Sequence, residues 1–352
     1  MPDAVTRTSP LRLTSSSDTR AWTQWRDAQL AQVDAHMRRI ASGPSPFDAP
    51  AHYMLATPGK RLRPRLLLGW YAVCAASWGG DAAARAGAAV ELLHEASLIH
   101  DDVCDRGLVR RGVPSMAEAF GVRRAGLYGY YLIARCAGEL GRVFSETAIL
   151  ELQPTNAGQF ETLLQGLPCP DPVEGQLLES LPPNADLAME KVNYELRCLG
   201  KTSVLFMMAC EFGALLGSTE AQRPTNRAHA RRFAQPLGLA FQLLDDVLDI
   251  EASVRLARPA GADLSAGVLS WPILDWAHHC ADPAAALGQF GDPRRTEADH
   301  RRLRAEIIDS GACERARALI RERLDEARAA LRHHQGPPAH DLGHVLDWLE
   351  EQ

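Results

Sequence analysis

Apolar residues recur at the i, i+3, i+4 spacing of a buried helix face along most of the chain. They run from Trp22, Trp25, Val33, Met37 and Ile40 near the start to Ile320, Leu324, Ala327 and Leu331 near the end. Alternating runs of strand type are almost absent, so the pattern predicts an all-α protein. Clusters of Gly, Pro and polar residues interrupt it at 43–50, 153–172, 181–186, 255–267 and 336–338, where helices should stop. None of these reads as a domain linker, and no tandem repeat is visible. The expectation is one helical domain over residues 21–352, preceded by a tail over 1–20. That tail is rich in Ser and Thr and lacks an apolar signal core, which predicts disorder.

Two of the predicted helices end against their own pattern. The apolar stretches Glu91 to His100 and Gly238 to Leu244 run into Asp101-Asp102-Val103-Cys104-Asp105 and Asp245-Asp246-Val247-Leu248-Asp249. On a helix the first and last aspartates of each pentad share a face, about 6 Å apart. Such carboxylates repel unless cations lie between them. Oxygen-only sites suit Mg²⁺, which keeps several waters and takes its remaining ligands from substrate phosphates. A single acidic cluster usually means a solvated helix end. Two copies of the same DDVxD form, each followed by basic residues, point instead to two carboxylate walls holding metal ions and a diphosphate.

Composition narrows the classes. With 352 residues, 46% of them hydrophobic, the chain can bury a large core. Its 38 basic and 44 acidic residues leave a net charge of −6 without long blocks of one sign, which argues against a nucleic-acid partner. No apolar run reaches the roughly 18 uninterrupted residues of a membrane span. Eight cysteines lack CxxC spacing, against structural zinc or a disulfide framework; a reducing cytoplasm is the expected location.

Candidate anion-binding groups lie around the pentads. Gly59-Lys60-Arg61-Leu62-Arg63-Pro64 concentrates cations before an apolar helix, with Lys60 as a point charge and Arg63 as a fork for phosphate oxygens. Arg110-Arg111-Gly112 follows the first pentad, and its glycine would let both guanidinium groups turn back toward the metal cluster. Lys201-Thr202 is expected to open a helix over 203–216, where a helix N-terminus favours an anion. Arg258 to Leu264 reads as a flexible basic loop. His94 lies two helical turns before Asp101, on the same face.

The ordered set GKRLRP, ELLHEASLIHDDVCD, RRGVPS, EGQLLE, GKTS, FQLLDDVLD and GADLSAG resembles the trans-isoprenyl diphosphate synthase (polyprenyl synthetase) family over roughly residues 50 to 275. The resemblance implies a single-domain bundle of long helices around a central cavity (the isoprenoid synthase type I fold). It also implies three Mg²⁺ ions per site and a homodimer. Asp101, Asp105, Asp245 and Asp249 would face the metal, with Asp102, Asp246, Lys201 and Gln242 completing the catalytic set. Arg110, Lys201, Thr202 and Arg258 would support the allylic diphosphate, while Lys60, Arg63, His94 and Arg111 would hold isopentenyl diphosphate. Phe241 and Gln242 would lie beside the reacting carbons. The alkene of isopentenyl diphosphate then attacks the allylic cation and a proton is lost. Ala96 and Ser97, one turn before the first pentad, would set product length; both are small, which favours a C20 product, then C15.

The chain also departs from the family pattern. Tyr130 stands where an aspartate is common after RRGxPT, Ser115 replaces the threonine, Ala117 the histidine, and Val268 the late-loop lysine. These changes keep open a terpene synthase, or a prenyltransferase with another acceptor, on the same fold. A non-catalytic partner subunit would have little need for both pentads. The His100-Asp101 pair is also similar to that of metal-dependent HD phosphohydrolases, but His278-His279 and His333-His334 lie in polar surroundings that read as surface.

Overall fold

The computed structural model describes residues 16–352 except 45, 58, 148–185, 252–260, 262–263, 265 and 291–293. The chain folds as a helical bundle. Its opening helices are α1 (Ser16–Ala41), α2 (Asp48–Leu55), α3 (Leu62–Cys74) and α4 (Ala82–Cys104). A hairpin of β1 (Val109–Arg110) and β2 (Val113–Pro114) is the only sheet among the described residues. It leads into α5 (Met116–Phe120) and α6 (Val122–Glu146). After the undescribed stretch come α7 (Leu187–Arg197), a π-helical turn (Cys198–Ser203), α8 (Val204–Gly217) and α9 (Arg223–Glu251). The chain closes with α10 (Trp271–His279), α11 (Pro283–Gly288), α12 (Glu297–Asp309), α13 (Ala312–Leu331) and α14 (Pro337–Glu350).

Helix α1 begins at Ser16, inside the stretch expected to be a tail, with Asp18 in its first turn, where a carboxylate favours the N-terminal dipole. Residues 1–15 lie outside the described residues. Trp22, Val33, Met37 and Ile40 are buried as their spacing requires.

Helices α3 and α8 form the septum of the bundle. Leu66, Trp70, Phe206 and Cys210 face one apolar cluster, built mainly on α9, α10 and α13, and Leu67, Leu68, Leu205 and Met208 face a second, built on α1, α4 and α6. Apart from Glu211, which pairs with Arg227 and Arg231, helix α8 is apolar around its circumference, as an element packed on all sides must be. Gly213 and Gly217 allow backbone contact between the two helices. A Cβ on Gly213 would fall 2.2 Å from the Leu67 carbonyl oxygen, and one on Gly217 would fall 2.3 Å from that of Tyr71. The continuous helix Leu187–Gly217 is long and apolar enough to cross a membrane by composition, yet 78% of its most apolar 18-residue stretch is buried inside the fold.

Candidate active site

Each pentad lies at or near the end of a long helix, and helical geometry sorts its aspartates. Asp101 and Asp102 occupy the last turn of α4 and Asp105 is its C-cap. Asp245, Asp246 and Asp249 all lie within α9, which runs on to Glu251. In both pentads the second aspartate is rotated about 100° from the first and points inward. Asp102 is 4% exposed and Asp246 2%. The Arg110 guanidinium grips Asp102, with Nη2 2.7 Å from Oδ1. Asp246 accepts from the Tyr194 hydroxyl (2.8 Å), Gln242 Nε2 (2.8 Å) and the Trp271 backbone N–H (2.9 Å). Burial pushes the Asp246 carboxyl up to about 6, against the pull of those three donors. Asp102 and Asp246 therefore strut the helices from within, while Asp101, Asp105, Asp245 and Asp249 keep the i, i+4 relation on the other face.

Among the described residues, no three His, Cys, Asp or Glu side chains converge closely enough to hold a metal ion unaided. That arrangement does not fit a histidine and cysteine cage. It does fit a hard divalent ion held by one or two carboxylates, with water and phosphate oxygens completing the shell.

Lys201 and Thr202 sit in the π turn, not at a helix start. The expected free N-terminus does not exist, because α7 runs through the turn into α8 and the ladder continues across it; the Val204 N–H, for example, bonds the Leu199 carbonyl. A π turn inserts one residue and re-aims the neighbouring side chains, a device frequent at functional sites. Here Lys201 Nζ lies 4.0 Å from Asp101 Oδ1, and the Thr202 hydroxyl donates to Gln242 Oε1 at 2.6 Å. Gln242 in turn donates to Asp246. A polar chain thus runs from the first pentad to the second across three helices.

Basic residues gather behind the end of α4. Arg111 and Gly112, with φ of 51° and 79°, turn the two-residue hairpin, which aims both arginines back at α4. They do not converge on one point. Arg110 reaches Asp102, whereas Arg111 pairs with Glu95 at 2.9 Å and donates to the Thr57 carbonyl. Arg63 is buried, its guanidinium 4.7 Å from the centre of the Phe206 ring, and burial lowers it to about 10. Phe241 packs on the same Phe206 ring at 5.3 Å. His94 is held neutral: burial, then Arg63, Arg111 and Arg110, push it well below its ordinary value. Lys60 is exposed and rests 4.6 Å over the Trp348 ring of α14. Arg258 lies outside the described residues.

A family model for polyprenyl synthetase matches residues 44–306. The chain belongs to the polyprenyl synthetase family. It is 33% identical over 250 residues to a probable mitochondrial hexaprenyl pyrophosphate synthase of Neurospora crassa, a match that covers 68% of this chain and 51% of that protein. It is 28% identical over 334 residues to subunit 1 of the decaprenyl-diphosphate synthase of Schizosaccharomyces pombe, covering 86% and 83% respectively. Against some relatives, therefore, the match spans only about half of their length. Among solved structures, a polyprenyl synthase from Caulobacter crescentus CB15, complexed with calcium and isoprenyl diphosphate, superposes with a TM-score of 0.78. It shares 28% identity, with 97% of this chain and 99% of that one covered.

Within this family member, Tyr130 is 68% exposed and lies against His100, with ring centres 4.8 Å apart. Tyr131 stacks on Phe47 at 4.3 Å and bonds the Ser42 carbonyl, so both rings are engaged on α6 surfaces turned toward other partners. Ser115 serves as the N-cap of α5, its Oγ accepting from the Glu118 N–H. Ala96 is fully buried, and the Ser97 hydroxyl donates to the His94 carbonyl. Reading the sequence alone missed Tyr194, Phe206, Trp348 and the roles of Glu91 and Glu95. Only the two glutamates left a signal, as charges one turn apart in an otherwise apolar helix.

Proposed function

We propose that this chain is a Mg²⁺-dependent prenyltransferase that condenses isopentenyl diphosphate with an allylic diphosphate, giving an all-trans prenyl diphosphate of C20 or longer. The observation that carries the reading is the polar chain from Asp101 through Lys201, Thr202 and Gln242 to Asp246, set beside the arginines of the α3 end and the hairpin. Relatives named hexaprenyl, octaprenyl and decaprenyl synthases support products beyond the C20 that small Ala96 and Ser97 alone suggest.

When bound, Mg²⁺ supplies positive charge that neutralises the departing diphosphate. Lys201, already within reach of Asp101, would share that anion's charge. Thr202 and Gln242 tie the π turn to the second pentad on α9. Phe241, packed on the buried Phe206 ring, would help to exclude water from an allylic cation, and Arg63 and Arg111 would orient the acceptor diphosphate. The proton lost after coupling would leave on the released diphosphate.

A homodimer is part of the proposal. Val122, Leu127, Tyr130 and Ile133 expose 61%, 55%, 68% and 39% of their surface on α6, an apolar face of the kind that partners cover. A reducing, cytoplasmic location is consistent with the described cysteines, all of which are free thiols.

The test is incubation with Mg²⁺ and dimethylallyl, geranyl or farnesyl diphosphate, each with and without isopentenyl diphosphate. A longer prenyl alcohol that requires both isopentenyl diphosphate and later phosphatase treatment supports elongation and gives its length. A hydrocarbon or cyclic alcohol made without isopentenyl diphosphate would overturn it in favour of terpene synthase chemistry.

A further inference from the structure

We propose that Glu95 sets the affinity and selectivity of the acceptor pocket, because its carboxylate occupies Arg111 and competes with an incoming diphosphate for that guanidinium. The inference rests on reading Lys60, Arg63, His94 and Arg111 as the acceptor side. Glu95 is 6% exposed and meets Arg111 with both oxygens, Nη2 to Oε1 at 2.9 Å and Nη1 to Oε2 at 3.3 Å. That bidentate geometry is the one Arg111 would otherwise offer to a phosphate. Arg111 is also confined, since its Nη1 donates to the Thr57 carbonyl at 2.9 Å. It cannot bind a phosphate through the same edge while Glu95 holds it.

Charge balance sharpens the point. Arg61 pairs with Asp34 at 2.8 Å and Glu91 at 3.4 Å, and Arg110 with Asp102 at 2.7 Å. With Glu95, four carboxylates therefore oppose the four arginines at 61, 63, 110 and 111, and neutral His94 adds no charge. Lys60 alone is left as surplus, parked over Trp348. One buried donor in the cluster, Arg63 Nε, has no hydrogen-bond partner. An unsatisfied buried donor is costly and would be met by a phosphate oxygen, while the field of the cluster for a polyanion is nearly cancelled. Removing the Glu95 charge would double the net surplus.

Glu95→Gln preserves the shape, and the test compares it with the wild type by calorimetric titration of isopentenyl diphosphate in EDTA, so that no divalent ion charges the aspartate pentads. The expected result is about tenfold tighter binding, equivalent to roughly 1.4 kcal/mol. In steady-state assays KM for isopentenyl diphosphate should fall in parallel while KM for the allylic diphosphate stays. Glu95→Asp, which keeps the charge, should retain the wild-type KM, and Glu95→Ser should tighten binding by an independent route if the glutamine variant does not fold. Equal or weaker binding by the neutral variants overturns the proposal and makes Glu95 a mere support for Arg111. Absence of isopentenyl diphosphate binding by the wild type and every variant overturns the acceptor reading itself, and this inference with it.

Discussion

Tyr194→Phe removes one hydroxyl from the heart of the site and little else. The Tyr194 ring is 5% exposed and packs 5.4 Å from Trp271, so phenylalanine keeps its volume and contacts. What disappears is the 2.8 Å bond to Asp246 Oδ2, leaving the Trp271 N–H on that oxygen and Gln242 on the other. A hydrogen bond to a charged group is worth about 1.5–3 kcal/mol. The loss also removes one of the three donors that oppose burial, which raises the Asp246 carboxyl to about 6. Urea unfolding at pH 8 should therefore show a loss of about 2 kcal/mol. A double-mutant cycle with Asp246→Ala isolates the pair, because the alanine variant severs the bond from the other side. The coupling should be about 1.5–3 kcal/mol, and a value below about 0.5 kcal/mol would refute the view that Tyr194 struts the second pentad. In turnover assays the divalent-ion concentration for half-maximal rate should rise about tenfold, as expected when the strut that orients the helix carrying Asp245 and Asp249 is loosened.

Away from the site, Glu139 is fully buried between Arg39 (2.6 Å), Arg85 (2.7 Å) and Arg142 (2.8 Å), which tie α1, α4 and α6 together. The three guanidinium groups outweigh burial and lower its carboxyl to about 2. Its folded value lies below the unfolded one, so its contribution is complete above about pH 4.5 and is lost as pH falls toward 2. The shift corresponds to about 3 kcal/mol, trimmed to about 2 kcal/mol by screening because Arg39 and Arg142 reach solvent. Denaturation midpoints of Glu139→Gln should lack that part of the acid slope, and an unchanged slope would exclude the assignment. Gly213→Ala should cost about 3 kcal/mol or more, or prevent folding, because its methyl would strike the Leu67 carbonyl. Gly138→Ala, on open α6 surface with nothing within 4 Å, should instead stabilise by roughly 0.5–1 kcal/mol; thermal melts followed by circular dichroism separate the two. Asp101→Ala and Asp245→Ala should abolish prenyl transfer with helicity intact, and retained turnover in either would sink the metal-facing role of the pentads.

The sequence alone determined the all-α character, the two aspartate pentads and the order of basic motifs around them. Each is a matter of local spacing: the i, i+3, i+4 rule holds for any helix, so Trp22, Val33 and Met37 on one side and Ala327 and Leu331 on the other were legible as buried faces. Even the division within a pentad was half legible, since Asp101 and Asp105 share a face by helical geometry. What Asp102 and Asp246 do instead was decided by partners far along the chain or in another element. Tyr194 lies 52 residues from Asp246 and Trp271 lies 25, and no pattern within either helix encodes that meeting. The π turn at Cys198–Ser203 was likewise invisible, because its residues read as the start of a helix that in fact arrives from Leu187. The proposed acceptor site shows the same division. Its cations can be named from the motifs, but their cancellation by Asp34, Glu91, Glu95 and Asp102 exists only once α1, α3, α4 and the hairpin are packed together. A charge read in sequence is a capacity; whether it is available to a ligand depends on which opposite charge the fold brings within about 3 Å of it.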